Sequence, residues 1–450
     1  MLWSTAFVNM SDAVRKIISF ETVDKKECVF ISDGEIKMNK LNFTKSKNLF
    51  QNALDLVPGG VLGTRRAYNY IPGEYPIYFE SAKGGRVTDV DGNEYIDMLC
   101  AYGPIIIGHR EKEIDDAVIR QIQENGFCMT LTQPVQNRLA EKLKEIIPCC
   151  EKSMMMKTGS DATTAAVRIA RAYTGRNIIL RCGYHGWHDW CTEGKGGIPE
   201  NYYEDVHPFQ YNNLDQAEDL MKTHDGKVAA IIITPLGHPL AQEVEMPEPG
   251  FLEGLRTLCD DTGTVLIYDE IRTGFRVDMG GAQKMFNVIP DIAAFGKAMA
   301  NGYPISAVVG KKRFMDMAID KMYVSSTFFP NSLEQVAALK TIELLEKHNM
   351  LEEIRKKGEY FGKEILKLAE ASKLPVTVSG VPWMPYITFN KDSQKRHQKL
   401  RLKFYTQLIR QKVFLPLYHH GYIAYRHTDE DINFTIEAIK NAFSSLKSLV

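Results

Sequence analysis

The sequence predicts an α/β protein built on a mainly parallel sheet with helices on both faces. Between residues 105 and 347, helical and strand-like patterns alternate, which is the chain order of βαβ units. The strand-like runs are apolar without interruption, as strands covered on both faces are. Two of them, 264–268 and 292–295, stop abruptly in polar residues, Asp269-Glu270 and Gly296-Lys297. In open α/β sheets ligands collect at such carboxyl ends, so an acid and a lysine could face one ligand.

The elements follow in order. Residues 1–47 mix Lys, Asp and Glu with β-branched residues and read as an extension that packs on the surface or on a partner subunit. The apolar spacing of Leu49, Phe50, Ala53, Leu54 and Leu56 predicts a helix over 46–56, stopped by Pro58-Gly59-Gly60. Short strands at 77–79, 85–90 and 95–97, with an Asp91-Gly92 turn, complete a segment over 48–104. Helices at 113–125, 135–147 and 161–174 then alternate with strands at 177–181, 228–234, 264–268, 292–295 and 305–309, making a large domain over 105–347. Helices at 333–347 and 351–371 precede strands at 376–378 and 385–389. A closing helix at 429–446 ends a C-terminal α+β unit over 348–450. No internal repeat or Gly/Ser linker separates these units.

Composition narrows the function classes. With 44% hydrophobic and 25% charged residues and a formal net charge of -1, the chain reads as an ordinary globular protein, and nothing suggests a nucleic-acid or anionic-membrane partner. Eight cysteines without a C-x-x-C pair or a Cys/His cluster read as reduced packing thiols of a cytoplasmic protein, with no metal site. No apolar run reaches the roughly 20 residues of a membrane-spanning helix. The first residues lack the basic start and long apolar core of a secretory signal.

An acid and a lysine on neighbouring strand ends suit one chemistry in particular. Pyridoxal phosphate is held by a lysine as a Schiff base, and an acid keeps its ring nitrogen protonated so that the ring draws electrons from the substrate. Seen singly, Asp269 could be a helix cap and Lys297 a surface lysine. Their joint placement favours the cofactor reading. The run Asp269-Glu270-Ile271-Arg272-Thr273-Gly274-Phe275-Arg276, followed by Ala294-Phe295-Gly296-Lys297-Ala298-Met299-Ala300-Asn301-Gly302-Tyr303-Pro304, resembles the signature of class III pyridoxal-phosphate aminotransferases, in particular the glutamate-1-semialdehyde aminomutase branch. The resemblance spans about residues 48–446. It implies fold type I: a large cofactor-binding domain and a small α+β domain made from N- and C-terminal segments.

The resemblance also assigns roles. Lys297 would bind the cofactor and move the proton, and Asp269 would face the ring nitrogen. Thr158-Gly159-Ser160-Asp161, ahead of the helical run AAVRIARAYTG, matches the phosphate loop, where first-turn amides and the helix dipole favour an anion. Gly159 and Ser160 are therefore cofactor residues. Tyr184, at the end of the predicted strand 177–181, would stack on the ring. Thr327 matches a threonine that reaches the phosphate of the neighbouring subunit, which implies a homodimer with shared sites; here Pro330-Asn331-Ser332 departs from the usual Gly-Asn-Pro.

Further departures bear on substrate. Thr234-Pro235 stands where many amino-acid-using relatives carry Glu-Pro, so the carboxylate-to-arginine switch of dual-substrate enzymes is absent. His419 falls where the aminomutase branch carries a glutamate, which weakens the mutase reading, whereas Arg66 matches that branch's substrate-carboxylate arginine. Arg426 is a second candidate for a substrate anion, and Tyr102, Trp187 and His419 would help form a roomy aromatic pocket. The reading is an aminotransferase that moves an amino group from an amine donor to a carbonyl acceptor in two half-reactions. An amino sugar or cyclitol, a β-aminoacyl derivative such as a thioester, and an aryl amine all remain open as substrates. An intramolecular aminomutase is the first rival, and a non-catalytic binding protein on the same fold is the second.

Overall fold

In the computed structural model the described residues are 40–63, 70–71, 73–194, 196–237 and 243–449. Most of the N-terminal extension, and Arg66, lie outside them. Seven strands form the main sheet: β4 (Lys152–Met156), β5 (Ile178–Cys182), β6 (Val206–Pro208), β7 (Val228–Ile233), β8 (Val265–Asp269), β9 (Ile292–Phe295) and β10 (Ser306–Gly310), in the order β4-β10-β9-β8-β7-β5-β6. Neighbours from β9 to β6 pair in parallel. Strand β10 runs antiparallel to both β9 and β4. The reason lies in the connection: only residues 296–305 separate β9 from β10, too few for a crossover helix, so the chain must double back.

Every residue of β7, β8 and β9 is buried. Successive side chains alternate between two cores. Ile179, Ile232, Ile267, Ala294 and Val308 pack with Ala162, Ala166, Ile169 and Ala170 of the helix Gly159–Thr174. Leu180, Ile231, Leu266, Tyr268, Phe295 and Val309 belong to the larger core, which holds residues of helices Phe251–Thr262 and Leu333–Lys347. Helices therefore cover both faces, which explains why the strands read as unbroken apolar runs. The arrangement is that of fold type I.

A second sheet, β1 (Phe79–Lys83), β2 (Arg86–Asp89) and β3 (Glu94–Asp97), is completed by β13 (Val413–Phe414), which pairs in parallel with β3. Residues more than three hundred positions apart thus share one sheet. Beyond it lie the antiparallel pair β11 (Val376–Ser379) and β12 (Tyr386–Phe389) and the helices Met350–Ser372, Arg396–Arg410 and Asp429–Leu446.

Some predicted elements shift. The helix expected over 113–125 is α-helical over Lys112–Arg120 and widens into a π turn over Gln121–Asn125 before Gly126, whose φ is 67°. Strand β4, with its Met-rich sequence, carries little strand signal of its own and owes its form to pairing with β10. Among the described residues no helix is long and apolar enough to cross a membrane. The described cysteines are free, all buried except Cys128.

Candidate active site

The carboxyl ends of β8 and β9 bring Asp269 and Lys297 to one place. Asp269 is the last residue of β8 and is buried. Its Oδ2 lies 2.9 Å from His185 Nδ1, and its Oδ1 accepts from the Ile271 amide at 3.1 Å. Both oxygens are thereby held before any ligand arrives. The neighbouring acid serves another purpose. Glu270 is fully buried and accepts from Thr273 Oγ1, from Ala282 N at 2.8 Å and from Gln283 N at 3.0 Å, so it caps the short helix Ala282–Met285. Burial nevertheless pushes its carboxyl up to about 7.

Lys297 follows Gly296 in a left-handed backbone conformation with φ 39°, which costs a residue with a Cβ roughly 1–2 kcal/mol. The surroundings hold it there. Asn301, a few residues on, accepts from the Ile106 and Ile107 amides at 3.1 and 2.9 Å and donates to the Gly108 carbonyl at 2.8 Å. Such strain is characteristic of residues aimed at a ligand. Burial, together with the Arg272 guanidinium, lowers the Lys297 ammonium to about 7.

The helix Gly159–Thr174 begins beside this pair, with a capping box between Thr158 and Asp161. A Cβ at Gly159 would come within 3.1 Å of Ile271, and one at Gly296 would meet Ile271 at the same distance. Ile271 thus forms a tight apolar floor between the helix start and the lysine. The loop after β5 is laced to the same helix. Thr163 Oγ1 donates to the His185 carbonyl at 2.7 Å, Trp187 N to Ser160 Oγ at 3.3 Å, and Trp190 Nε1 to Thr164 Oγ1 at 2.8 Å. Gly186, with φ 119°, permits this closeness, because a Cβ there would lie 2.4 Å from Ser160 Oγ. The loop leaves Tyr184 41% exposed and Trp187 71% exposed.

The opposite wall comes from residues 98–103 and 418–426. Cys100, Ala101 and Tyr102 all have positive φ, 48°, 54° and 69°. Asp97 Oδ1 accepts from the Leu99 and Cys100 amides, and buried Arg276 donates to the carbonyls of Gly103, Ile105 and Ile423 at 2.9, 3.1 and 2.9 Å. This bolt presents Tyr102 edge-on to His419, with ring centroids 5.1 Å apart. Burial and the Arg272 charge lower the His419 imidazole to about 3, so it is neutral at any working pH.

A match to the class-III aminotransferase family model runs over residues 70–442. The chain belongs to the class-III aminotransferase family. Over 411 residues it is 58% identical to the 3-aminobutyryl-CoA aminotransferase of Cloacimonas acidaminovorans (strain Evry), covering 91% of this chain and 99% of that protein. It is 35% identical to glutamate-1-semialdehyde 2,1-aminomutase 2 of Lachnoclostridium phytofermentans, covering 88% and 98%. Among solved structures, the pyridoxal-phosphate form of the FumI protein of Sphingopyxis sp. MTA144 superposes with a TM-score of 0.85 at 32% identity, covering 90% of this chain and 96% of that one.

The aminotransferase uses pyridoxal phosphate, and its residues fit that group. A lysine, a held carboxylate, a helix start and a half-exposed tyrosine converge, and a buried cation has donors to spare. That cation, Arg272, was not singled out in the sequence. It is 9% exposed, and its Nε and Nη1 have no hydrogen-bond partner among the described residues. Burial lowers its pKa while the charges of Tyr422, Asp269 and Tyr184 act to raise it. The only signal available was its position three residues after the strand-end aspartate.

Other candidates of this aminotransferase fall differently. Thr234 is buried, with its hydroxyl 3.3 Å from the Cys182 carbonyl and packed on Gly183. Thr327 is exposed. Arg426, expected to meet a substrate anion, pairs through its guanidinium with Glu111 in a bidentate contact at 2.9 and 2.8 Å. Arg66 lies outside the described residues.

Proposed function

We propose that this aminotransferase takes its amino group from a β-aminoacyl-CoA thioester of the 3-aminobutyryl-CoA kind and passes it to an α-keto acid. The observation that carries this is the 58% identity to a 3-aminobutyryl-CoA aminotransferase over nearly the whole of both chains. The site supports it. A thioester has no free carboxylate, and this pocket lacks the Glu-Pro device at Thr234, has spent Arg426 on Glu111, and places neutral His419 against Tyr102.

In this reading Lys297 would hold the cofactor, and its free amine would act as the base that moves the substrate's proton. Its low pKa leaves it largely unprotonated above pH 7, as a base must be. Asp269, fixed by His185 and the Ile271 amide, would pair with the ring nitrogen and keep it protonated. Gly159 and Ser160 present the helix start to the phosphate. Tyr184 would cover the ring, and Trp187 would extend that wall towards substrate. The bound pyridoxal phosphate supplies the electron sink. Arg272 offers unspent donors to an oxygen of cofactor or substrate. We also place the enzyme in the cytoplasm as a homodimer, with Thr327 serving the neighbouring subunit's phosphate; exposed Trp187, Tyr323 and Phe328 are consistent with a contact surface.

The test is turnover of 3-aminobutyryl-CoA against free 3-aminobutyrate, with and without an α-keto acid. The thioester should be preferred by orders of magnitude in kcat/KM, and the acceptor should be required. Preference for the free acid would overturn the substrate, and product formation without acceptor would favour an aminomutase.

A further inference from the structure

Arg276 and Arg426 already have partners. Arg276 donates to the carbonyls of Gly103, Ile105 and Ile423, and Arg426 pairs with both oxygens of Glu111. Arg272 differs from both. It is buried, and its Nε and Nη1 are without a hydrogen-bond partner among the described residues. The groups whose charges act on it are Tyr422, Asp269 and Tyr184. None of these is a counter-ion held for it. The tyrosines are neutral phenols, with burial pushing Tyr422 up to about 12 and Tyr184 upward too, and both Asp269 oxygens are engaged by His185 and the Ile271 amide. A buried cation without a paired acid is destabilising. Where one is kept in a cleft, a ligand that answers its charge supplies the reason.

Its place in the cleft indicates which ligand. Arg272 follows Asp269 by three residues, on the turn that leaves β8. Ile271, beside it, is the residue that a Cβ at either Gly159 or Gly296 would meet, so this turn lies between the helix start and Lys297. From there the Arg272 charge reaches both sides of the cleft. It helps to lower Lys297, and it acts on His419 and Tyr422 in the opposite wall. The cation therefore stands between the reactive amine and the substrate-facing wall. In the reading above the cofactor's phosphate and ring nitrogen go to Gly159 and Asp269, and neither needs this guanidinium.

We propose that Arg272 is the receptor for the carboxylate of the α-keto acid acceptor. This rests on the aminotransferase reading above and names the residue that selects its second substrate. An α-keto acid carries its carboxylate on the carbonyl carbon that receives the amino group, so the receptor must stand close to the amine-bearing end of the site. Arg272 stands there, and a planar guanidinium takes a carboxylate bidentately. In the first half-reaction the same donors meet only the uncharged carbonyl oxygen of the thioester, a weaker acceptor. One fixed guanidinium thus serves two substrates of different charge without the Glu-Pro device that Thr234 replaces.

The experiment follows single turnovers of enzyme loaded with pyridoxamine phosphate, using pairs of acceptors that differ only in the carboxylate beside the carbonyl: 2-oxoglutarate with succinic semialdehyde, and pyruvate with acetaldehyde. The ratio of rates within a pair cancels any effect on Lys297, because both acceptors use the same amine. Calorimetry of the same loaded enzyme with glutarate and propionate, which have no carbonyl to react, reads carboxylate binding without turnover. The variants are Arg272→Met and Arg272→Gln, with Arg272→Lys restoring the charge without the fork. The wild type should favour the keto acid in at least one pair. Met and Gln should lower that keto-acid to aldehyde ratio by about 10²-fold and weaken carboxylate binding by about tenfold or more, and Lys should recover part of both losses. If Arg272→Met does not fold, Arg272→Gln carries the same comparison. An unchanged ratio in Arg272→Gln would overturn the proposal, as would a wild type that binds neither carboxylate. Equal losses for keto acid and aldehyde would also overturn it and assign the guanidinium to the cofactor. Preference for a free β-amino acid over the thioester would overturn the donor reading above and leave this comparison intact. Turnover with no acceptor at all would overturn both.

Discussion

The floor and the far wall of this active site are built in different ways. The floor, Asp269 and Lys297, stands on the ends of adjacent strands β8 and β9, so a few residues of local pattern place both groups. The wall, residues 98–103 and 418–426, has no regular element to hold it. Its left-handed turn at Cys100–Tyr102 persists because Arg276, from the far side of the sheet sequence, ties Gly103, Ile105 and Ile423 together. Asp269 and Lys297 thus stand on rigid strand ends, whereas the wall is held by buried tertiary contacts, from Arg276 and from Asp97, that no local pattern announces.

Variants can separate the two regions. Asp269→Asn damages the floor without disturbing packing and should slow the first half-reaction by about 10²-fold or more, with cofactor still bound; stopped-flow bleaching of the holoenzyme by amine measures it. Arg276→Met damages the wall. It leaves three buried carbonyls without their donor and should cost roughly 3–5 kcal/mol in denaturant unfolding. If the regions are separable, a folded fraction of that variant will still take up pyridoxal phosphate while losing substrate turnover.

Arg272 lies at the junction, and pH reports on it. The Lys297 amine is depressed to about 7 by burial first and by Arg272 second. Capture of pyridoxal phosphate by the apo protein needs the neutral amine, so its rate should rise with pH through about 7 and level off above it. Arg272→Met removes a repelling cation and should move that midpoint upward; an unmoved midpoint would mean that burial alone sets it. The smallest effect belongs to Arg426→Gln. On turnover that effect is small, with KM within about twofold; stability should fall by roughly 1–3 kcal/mol, because Glu111 is only 8% exposed and loses both of its donors.

The same contrast explains what the sequence could show. Asp269, Lys297 and the helix start at Gly159 were legible because each sits at a boundary between an apolar run and a polar residue, a local signal. The doubling back at β10 was not, although the short 296–305 connection contains the reason. Strand β13 is two residues long and exists only through β3. Arg426 looked like an anion receptor because Glu111, 315 positions away, cannot be seen from its neighbours. Arg272 was passed over for the converse reason: that its Nε and Nη1 stay without a hydrogen-bond partner among the described residues is a property of the folded site.

The most direct test of the central claim is to treat the purified holoenzyme with borohydride and map the modified peptide by mass spectrometry. The pyridoxyl group should be found on the peptide that contains Lys297, and Lys297→Ala should acquire none and show no turnover. A label on another lysine, or a wild-type protein that takes up neither colour nor label, would contradict the assignment on which the rest of the mechanism stands.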